Sequence, residues 1–341
     1  MFDASPPEPP RAPTLVEVAK EAGVSRATVS RVVNGSPTVA PAIAAAVEGA
    51  IERLNYVPNR AARSLANRRA MAISLIIPED APQFFGNPYF AAVVQQISAE
   101  LEASDYVINL LLAPAGKSEK TVRFLLGGHV DGAIVISDYT GEHDLASLGA
   151  RLPVVFAGRP NDPDGDRSYW VDIDNRAGAR NATKYLIGRG YRSIAMIGGP
   201  HGLPVPADRV TGWSEALEQS GLTGPLRESS DFSLLGGAHA MRDLLDSGEK
   251  IDAVFAASDQ MAIGALGVLR DRGIRVPDDI AVMGFDDSPA AAAAEIPLTT
   301  VRQPGKESGR RMAWMLLQLL QGERPPRVQI LPTDIVVRAS A

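Results

Sequence analysis

The sequence predicts an α/β protein that carries a small all-α domain near its N-terminal end. Three short helical patterns in residues 14–56 predict the α-helical domain. After residue 71, apolar strand-like runs alternate with amphipathic helices, which is typical of parallel sheets covered on both faces. Two such halves predict a core of two doubly wound parallel-sheet lobes, with a ligand held at the carboxyl ends of the strands.

Composition limits the classes of protein that fit. The chain has 341 residues and no cysteine, which excludes disulfides, thiolate metal sites and cysteine nucleophiles. The four histidines lack metal-site spacing, and the sequence has neither a P-loop nor a Gly-x-Gly-x-x-Gly that opens a helix after a strand, so we expect neither a metal nor a cofactor. No apolar run has the length of a membrane span, and the Pro-rich residues 1–13, expected to be a disordered leader, lack a signal-peptide core. We therefore expect a cytoplasmic protein without membrane contact.

The charge is unevenly distributed along the chain. The net charge is −6, but residues 14–69 contain eight Lys and Arg against four Glu. A basic end on an acidic body can bind a polyanion locally while the body stays soluble. The distribution is therefore compatible with nucleic-acid binding by the small domain.

Three helices are expected in the small domain. Thr14 and Glu17 form a capping box before the first helix, and Gly23 ends that helix in a left-handed turn. Ser25 caps the second helix, and Pro41 begins a third that runs to about residue 55. The residues expected on the inner faces are Leu15, Val18, Ala19, Ala22, Val29, Val32, Val33, Ile43, Val47, Ile51 and Leu54.

The elements of the larger region follow from its apolar periodicity. The predicted strands are residues 73–77, 107–112, 132–136, 154–156, 193–197, 253–256 and 280–285. The predicted helices are residues 88–104, 176–189, 209–220, 237–247, 260–272 and 305–321.

Residues 18–34 have the pattern of a helix–turn–helix. Two short helices meet at Gly23, and the small side chains of Ala19 and Ala22 allow them to approach closely. A cluster of Arg, Ser and Thr at the start of the second helix is what reading the DNA major groove requires. A simple helical hairpin is the alternative, since such hairpins are common. The outer face of the second helix carries Arg26, Ala27, Thr28, Ser30 and Arg31.

The segment Tyr-Val-Pro-Asn-Arg-Ala-Ala-Arg-Ser-Leu-Ala at residues 56–66 adds a second motif. With the helix–turn–helix, it resembles the lactose-repressor (LacI/GalR) family, and the resemblance extends from Thr14 to Arg338. It implies a dimeric repressor that binds a palindromic operator, with a periplasmic-binding-protein-like core that holds a small-molecule effector between its lobes. The implied domains are a helix–turn–helix domain (14–58), a hinge helix and linker (59–70), an N-terminal sensor lobe (71–172 and 304–331) and a C-terminal sensor lobe (173–303 and 332–341).

The resemblance also implies which residues contact DNA. Arg26 and Ala27 stand at the operator-reading positions, where they can bind a guanine and a thymine methyl, and Arg31 is a further base reader. Leu65 of each hinge helix would enter the minor groove as an apolar wedge, although a core leucine in a linker helix is the alternative. The expected DNA-binding residues are Ser25, Arg26, Ala27, Thr28, Ser30, Arg31, Asn34, Asn59, Arg60, Ala62, Arg63 and Leu65.

The third helix departs from the family pattern. Members often have Ser at its start and basic residues along its first two turns, whereas this chain has Ala40, Ala42, Ala44 and Ala46. We expect the helix to lack a side-chain cap and several phosphate contacts. Non-specific DNA binding should therefore be weaker, and less dependent on salt, than is usual for the family.

Several short motifs of the larger region also match the family. Arg209 and Asp286 match its ligand contacts, while aromatic rings offer flat faces for a sugar or a base. We expect Asp259 to cap its helix, and Asp174 with Asn175 to cap the helix beginning at 176. The expected effector-binding residues are Tyr89, Phe90, Arg159, Arg209, Phe232, Ser258 and Asp286.

A sugar is the favoured effector, and a nucleoside or purine is the alternative. A solute-binding protein without a DNA role is a rival class, but it has no use for the helix–turn–helix. A sugar-active enzyme is not expected, because Asp286 and Asp287 are adjacent on a strand end and point to opposite sides. The lack of a leucine heptad tail after Val337 favours a homodimer over a tetramer.

Overall fold

A computed structural model describes residues 13–33, 36–56, 69–77, 88–113, 118–136, 147–160, 168–229 and 231–341. The chain divides into two compact units, Met1–Ala70 and Met71–Ala341. Most of the predicted leader, and the hinge helix with Asn59, Arg60, Ala62, Arg63 and Leu65, lie outside the described residues, as does Asn34.

The first unit contains three helices, α1 (Leu15–Glu21), α2 (Arg26–Val33) and α3 (Pro41–Leu54). The capping box of α1 forms as predicted, with the Thr14 N–H donating to Glu17 Oε2 at 2.6 Å. Gly23 follows α1 at φ 68°, and Ser25 Oγ accepts the N–H of Thr28 at 3.1 Å at the start of α2. At the start of α3, Ala40 provides no side-chain cap, also as predicted.

The core of this unit lies between the three helices. One predicted core residue is wrong: Ile43 is 39 % exposed, because it stands in the first turn of α3, before the part of the helix that packs on the core. Ala50 is buried in its place. The buried residues are Val18, Ala19, Val29, Val47, Ala50 and Tyr56.

The second unit contains two six-stranded sheets, which confirms the predicted fold class. The first has the order β11-β5-β4-β3-β1-β2 and is parallel throughout. The second has the order β12-β10-β9-β8-β6-β7, with β12 antiparallel to β10. The strands are β1 (Ala72–Ile77), β2 (Val107–Leu112), β3 (Gly132–Ile136), β4 (Val154–Ala157), β5 (Tyr169–Ile173), β6 (Ile194–Gly198), β7 (Leu226–Glu228), β8 (Ala253–Ala256), β9 (Ala281–Asp286), β10 (Thr299–Arg302), β11 (Val328–Leu331) and β12 (Asp334–Val336).

Helices cover the sheets, as the continuous apolar strands require. Every residue of β1, β3, β6 and β8 is buried, which explains why these runs lack a polar face. The helices are α4 (Pro88–Leu101), α5 (Ser118–Phe124), α6 (Asn175–Gly188), α7 (Pro204–Glu218), α8 (Leu234–Asp246), α9 (Asp259–Asp271), α10 (Pro289–Ala293) and α11 (Gly305–Leu320).

The chain passes between the two sheets three times, after β5, after β10 and after β11. Helix α11 therefore lies in the chain between β10 of the second sheet and β11 of the first sheet. Because the strands within each sheet are mostly parallel, their carboxyl ends collect on one edge, where ligands of such folds bind. In the part of the chain that the structure describes, no helix is long and apolar enough to cross a membrane.

Candidate functional site

A narrow cleft with a cavity volume of about 60 Å³ lies where the strands of both sheets end. Ile136, Ala157 and Asp172 reach it from β3, β4 and β5 of the first sheet. Arg209 of α7 and Asp286 of β9 reach it from the lobe of the second sheet. The lining residues are Tyr89, Phe90, Ile136, Ala157, Gly158, Val171, Asp172, Asn175, Val205, Arg209, Phe232, Ser258, Asp286 and Gln303.

Arg209 is buried and held in one orientation. Its Nε donates to Asn175 Oδ1 at 2.9 Å and its Nη1 to the carbonyl oxygen of Ala257 at 2.5 Å. The guanidinium carbon lies 3.6 Å from the ring centroid of Phe285, which is a close cation–π contact. One turn later, Gly212 packs so closely on α6 that a Cβ would overlap the carbonyl oxygen of Arg176. This glycine therefore permits the helix packing that sets Arg209 in the cleft.

Asp286 faces the cleft from the end of β9. It is half-buried and accepts a hydrogen bond from Gln303 Nε2 at 2.5 Å. Burial raises the pKa of Asp286 to about 7 and the charge of Asp259 adds to the rise, while Arg209 and Gln303 oppose it. A pKa in this range allows the carboxyl group to accept or donate a hydrogen bond near neutral pH.

Asp287 points away from the cleft, so the expected divergence of the two neighbouring aspartates is present. It accepts hydrogen bonds from Arg302 Nε at 2.7 Å and Arg338 Nη2 at 2.5 Å. Both aspartates have positive φ, 125° for Asp286 and 57° for Asp287. Such backbone costs on the order of 1–3 kcal/mol per residue and is characteristic of ligand sites.

Three polar residues of the cleft, Asp172, Asn175 and Gln303, were not among the effector-binding residues expected from the sequence. Asp172 accepts the N–H groups of Ile173 at 2.7 Å and Arg159 at 3.1 Å, and the side-chain amide of Asn175 at 3.1 Å. Burial raises the pKa of Asp172, and these backbone bonds oppose the rise. Asn175 thus links Asp172 to Arg209. Asp172 is the penultimate residue of β5 and Asn175 begins α6 just after that strand, and this position at a strand end is the signal that could have identified them.

The cap of α6 is Asp174 alone. Its Oδ1 accepts the N–H of Ala177 at 2.8 Å, and α6 begins at Asn175. The predicted shared cap is wrong for Asn175, because its side-chain amide is engaged with Asp172 and Arg209 inside the cleft.

Aromatic rings form part of the cleft wall. The rings of Tyr89 and Phe90 lie 5.8 Å apart, edge to face at 63°, and Phe90 is buried. Phe232 stands against Gly199, where a Cβ would lie 2.6 Å from the ring. The glycine therefore leaves the space that the Phe232 ring occupies.

Ser258 lies at the cleft and also caps α9. Its Oγ accepts the N–H of Met261 at 3.2 Å and donates to the carbonyl oxygen of Phe232 at 3.3 Å. The expectation that Asp259 caps this helix is wrong, because Asp259 is the first helical residue and its side chain is fully buried.

Arg159 is the one expected effector residue that is not among the residues lining the cleft. Its Nη2 donates to Asp208 Oδ2 at 3.0 Å, and its side chain is half exposed. Arg159 follows β4 of the first sheet and Asp208 lies on α7, so this ion pair joins the two lobes beside the cleft. The other six expected residues are brought together.

The outer face of α2 carries the expected DNA-binding side chains. Arg26, Ala27 and Arg31 are exposed, as is Ser25 just before the helix. Thr28 and Ser25 share a hydroxyl–hydroxyl hydrogen bond of 2.9 Å. The exposed Arg53–Glu21 ion pair, at 3.0 Å, joins α3 to α1. Among the described residues, no group of His, Asp and Glu could hold a metal ion.

Comparisons with protein families match both parts of the chain. Residues 14–59 match the model described as bacterial regulatory proteins, lacI family, and residues 183–341 match a periplasmic binding protein-like domain. The HTH-type transcriptional regulator CelR of Thermobifida fusca is 42 % identical over 97 % of this chain and 98 % of its own. Catabolite control protein A of Priestia megaterium is 35 % identical, over 91 % and 93 % of the two chains.

Solved structures agree in fold. A complex of the transcriptional regulator CelR with cellobiose matches with a TM-score of 0.76 and 40 % identity, over 96 % of this chain and 100 % of its own. The lac repressor dimer bound to operator and the anti-inducer ONPF matches with a TM-score of 0.85 and 28 % identity, over 97 % and 99 % of the two chains. Because relatives over 30 % identical extend along nearly the whole chain, this protein belongs to the LacI family of DNA-binding transcriptional regulators.

Proposed function

We propose that this chain is a repressor that binds a palindromic operator as a homodimer and is controlled by a sugar of the cellobiose class. The observation that carries the proposal is the cleft itself, in which a fixed guanidinium and a carboxylate face one another among aromatic rings. A transcriptional regulator CelR that is 40 % identical to this chain has been solved in complex with cellobiose.

The donors and acceptors of the cleft suit a polyhydroxylated ligand. Each sugar hydroxyl both donates and accepts hydrogen bonds, so it needs partners of both kinds. Asp286 and Asp172 supply acceptors, while Arg209, Asn175 and Gln303 carry donor groups. Hydrogen bonds to the charged groups are the stronger ones, about 1.5–3 kcal/mol each.

A purine is less well suited to the aromatic residues. A base is best held by stacking on an open ring face. Tyr89 and Phe90 meet edge to face, and Phe90 is only 4 % exposed. The two rings therefore do not form a parallel slot, and the separate faces of Tyr89 and Phe232 fit the C–H surfaces of a sugar better.

Control of DNA binding would follow from the construction of the cleft. Its walls come from both lobes, so a bound sugar contacts both and favours one relative arrangement of them over another. The hinge segment with Asn59, Arg60, Ala62, Arg63 and Leu65 would convert that arrangement into operator affinity. Such coupling is reciprocal, so operator DNA would change the sugar affinity by the same factor.

The second copy would cover an apolar face of the first lobe. The edge strand β2 exposes Leu110 by 44 % and Leu112 by 40 %, beside a hollow of about 910 Å³ that α4 and β2 form together. Helix α4, which forms one wall of this hollow, would then take part in the dimer interface. As a DNA-binding regulator without catalytic activity, the protein would act in the cytoplasm.

Isothermal titration with cellobiose, cellotriose, glucose, galactose, ribose, adenosine and guanine tests the effector class. The proposal expects saturable binding of a glucoside and its loss in an Asp286→Ala variant. An Asp334→Ala variant, which removes an exposed carboxylate from edge strand β12, is the control and should bind as the wild type does. Binding of a purine, and of no sugar, would contradict the proposed effector.

A further inference from the structure

A buried carboxylate lies directly behind Asp286. Asp259 is the first residue of α9 and is fully shielded from solvent. Its Oδ1 accepts a hydrogen bond from the Thr300 hydroxyl, with an Oγ1–Oδ1 distance of 2.6 Å. Its Oδ2 accepts a hydrogen bond from the backbone N–H of Ser288, with an N–Oδ2 distance of 2.7 Å. Thr300 belongs to β10 and Ser288 is the cap of α10, so one side chain joins three elements.

These bonds hold the turn that contains Asp286. Ser288 follows the two positive-φ residues directly, and the Thr300 hydroxyl also accepts the N–H of Asp287 at 3.4 Å. Gly284 lies two residues before Asp286, and a Cβ there would overlap the Asp259 carboxylate. Gly284 thus leaves space for the buried Asp259 carboxylate beside the turn, where that carboxylate accepts the backbone N–H of Ser288.

We propose that Asp259 is a positioning residue for effector binding, which holds the Asp286–Asp287 turn so that the Asp286 carboxylate faces the cleft. The inference rests on the proposed function, since it concerns the same cleft. Asp259 does not contact the ligand; it acts through the backbone of the turn and through its charge.

The charge supplies a measurable signature. Asp286 is faced by Arg209 of α7, by Gln303 and by Asp259, while Asp287 is paired with Arg302 and Arg338. Burial is the main cause of the raised pKa of Asp286, and the charge of Asp259 is the next. Burial also raises the pKa of Asp259. The hydrogen bonds from Thr300 and Ser288 oppose this rise, and the negative charge of Asp287 adds to it. An Asp259→Asn variant removes one negative charge, so its Asp286 should ionise at lower pH.

The test measures cellobiose affinity of the full chain between pH 5 and 8.5. In the wild type, affinity should fall on acidification as Asp286 becomes protonated. At pH 8.5, where Asp286 is ionised in both proteins, Asp259→Asn should raise the Kd about tenfold through the loosened turn. The pH midpoint of its affinity should also move down, by about one unit. A merely structural loss would weaken binding at every pH without moving the midpoint.

The matched control is Asp252→Asn. Asp252 lies just before β8, at the opposite end of the strand from Asp259, and accepts the backbone N–H groups of Arg192 at 2.8 Å and Ser193 at 2.9 Å. Its loss should lower stability and leave both the Kd and the pH midpoint unchanged. Equal Kd and midpoint in Asp259→Asn and the wild type would overturn the inference.

A ligand-free readout separates this inference from the proposed function. Carboxyl ¹³C NMR titration gives the ionisation midpoint of Asp286 directly, with Asp286→Asn to assign the signal. If the wild type binds no cellobiose, the proposed effector class fails, but a lower midpoint in Asp259→Asn still supports the positioning contact. If Asp259→Asn does not fold, Thr300→Val takes its place, with an expected Kd increase of about threefold at pH 8.5. An unchanged Kd in that variant, or an unchanged NMR midpoint in Asp259→Asn, would refute it.

Discussion

Replacing Arg209 with methionine should damage both stability and effector binding. The change removes two hydrogen bonds from a buried charged donor, at 2.9 Å to Asn175 and 2.5 Å to Ala257, and the contact with the Phe285 ring. Hydrogen bonds of a charged group contribute about 1.5–3 kcal/mol each, and the loss of one partner from a buried charged network costs about 3–5 kcal/mol. We therefore expect the free energy of unfolding to fall by about 3–5 kcal/mol.

Effector affinity should fall as well. Loss of one charge-assisted hydrogen bond to a sugar corresponds to an increase in Kd of roughly 10- to 150-fold. Arg209→Lys should restore little of it, because an ammonium is a single compact donor that cannot bond Asn175, Ala257 and a ligand in the geometry of a guanidinium.

The assays are urea unfolding and calorimetric titration with cellobiose, with Arg180→Met as the control. Arg180 lies on α6 and pairs with Glu215 at 3.4 Å with a third of its side chain exposed, so its removal should cost below about 1 kcal/mol. If Arg209→Met lost no more stability than Arg180→Met and bound cellobiose with wild-type affinity, the assignment of Arg209 to the site would be wrong.

Three further predictions concern the packing, the acids and the DNA-binding unit. Gly212→Ala places a methyl group against the carbonyl oxygen of Arg176, so thermal unfolding should show a loss of about 1–3 kcal/mol and cellobiose should bind more weakly; Gly267→Ala, at an open position on α9, should show neither effect. Because the pKa of Asp286 is raised to about 7, the folded state holds a proton on Asp286 at pH values where the unfolded state has released it. The stability contributed by protonated Asp286 is therefore fully present below about pH 4 and is lost as the pH rises through about 7. Asp286→Asn should accordingly flatten the pH dependence of the unfolding free energy between pH 4 and 7, and an equally steep dependence in the variant would exclude this cause. Ala44→Arg adds a basic residue to the start of α3, so the slope of log K against log salt for DNA should steepen by about one; an unchanged slope would show that this helix does not face phosphate.

The fold was predictable wherever the apolar pattern was long and uninterrupted. The strand patterns at 107–112, 132–136 and 253–256 correspond to β2, β3 and β8 residue for residue. The strands that were missed, β5, β7, β10, β11 and β12, are short and several are half exposed or polar. Their strand state depends on pairing with a neighbour already in the sheet, which local periodicity does not report.

The short helices α5 and α10 were missed, and among the longer helices of the second unit the ends were less predictable than the positions. Helix α7 begins at Pro204, five residues before the predicted start, because a proline at the first position is compatible with a helix although prolines usually interrupt the pattern. Helix α4 ends at Leu101, three residues before the predicted end. Neither difference moves a predicted cleft residue out of its element.

Some cleft residues could be predicted from the sequence, whereas others are recognisable only from the tertiary structure. Arg209, Asp286 and Phe232 are predicted from the sequence and line the cleft. Asp172 and Asn175 were missed, because their roles arise from hydrogen bonds between the end of β5 and α7, which are distant in the sequence. Arg159 instead pairs with Asp208, a contact that requires the two lobes to be in place.

Operator binding with and without cellobiose tests whether a sugar in the cleft controls DNA binding. DNA selected from a random pool by the full-length protein would supply the operator, and fluorescence anisotropy would give its Kd. We expect a palindromic operator bound by a dimer, a change in Kd of at least about fivefold on addition of cellobiose, and loss of that change in Arg209→Met. Operator affinity that is the same at zero and saturating cellobiose, with cellobiose shown to be bound, would contradict control by this sugar.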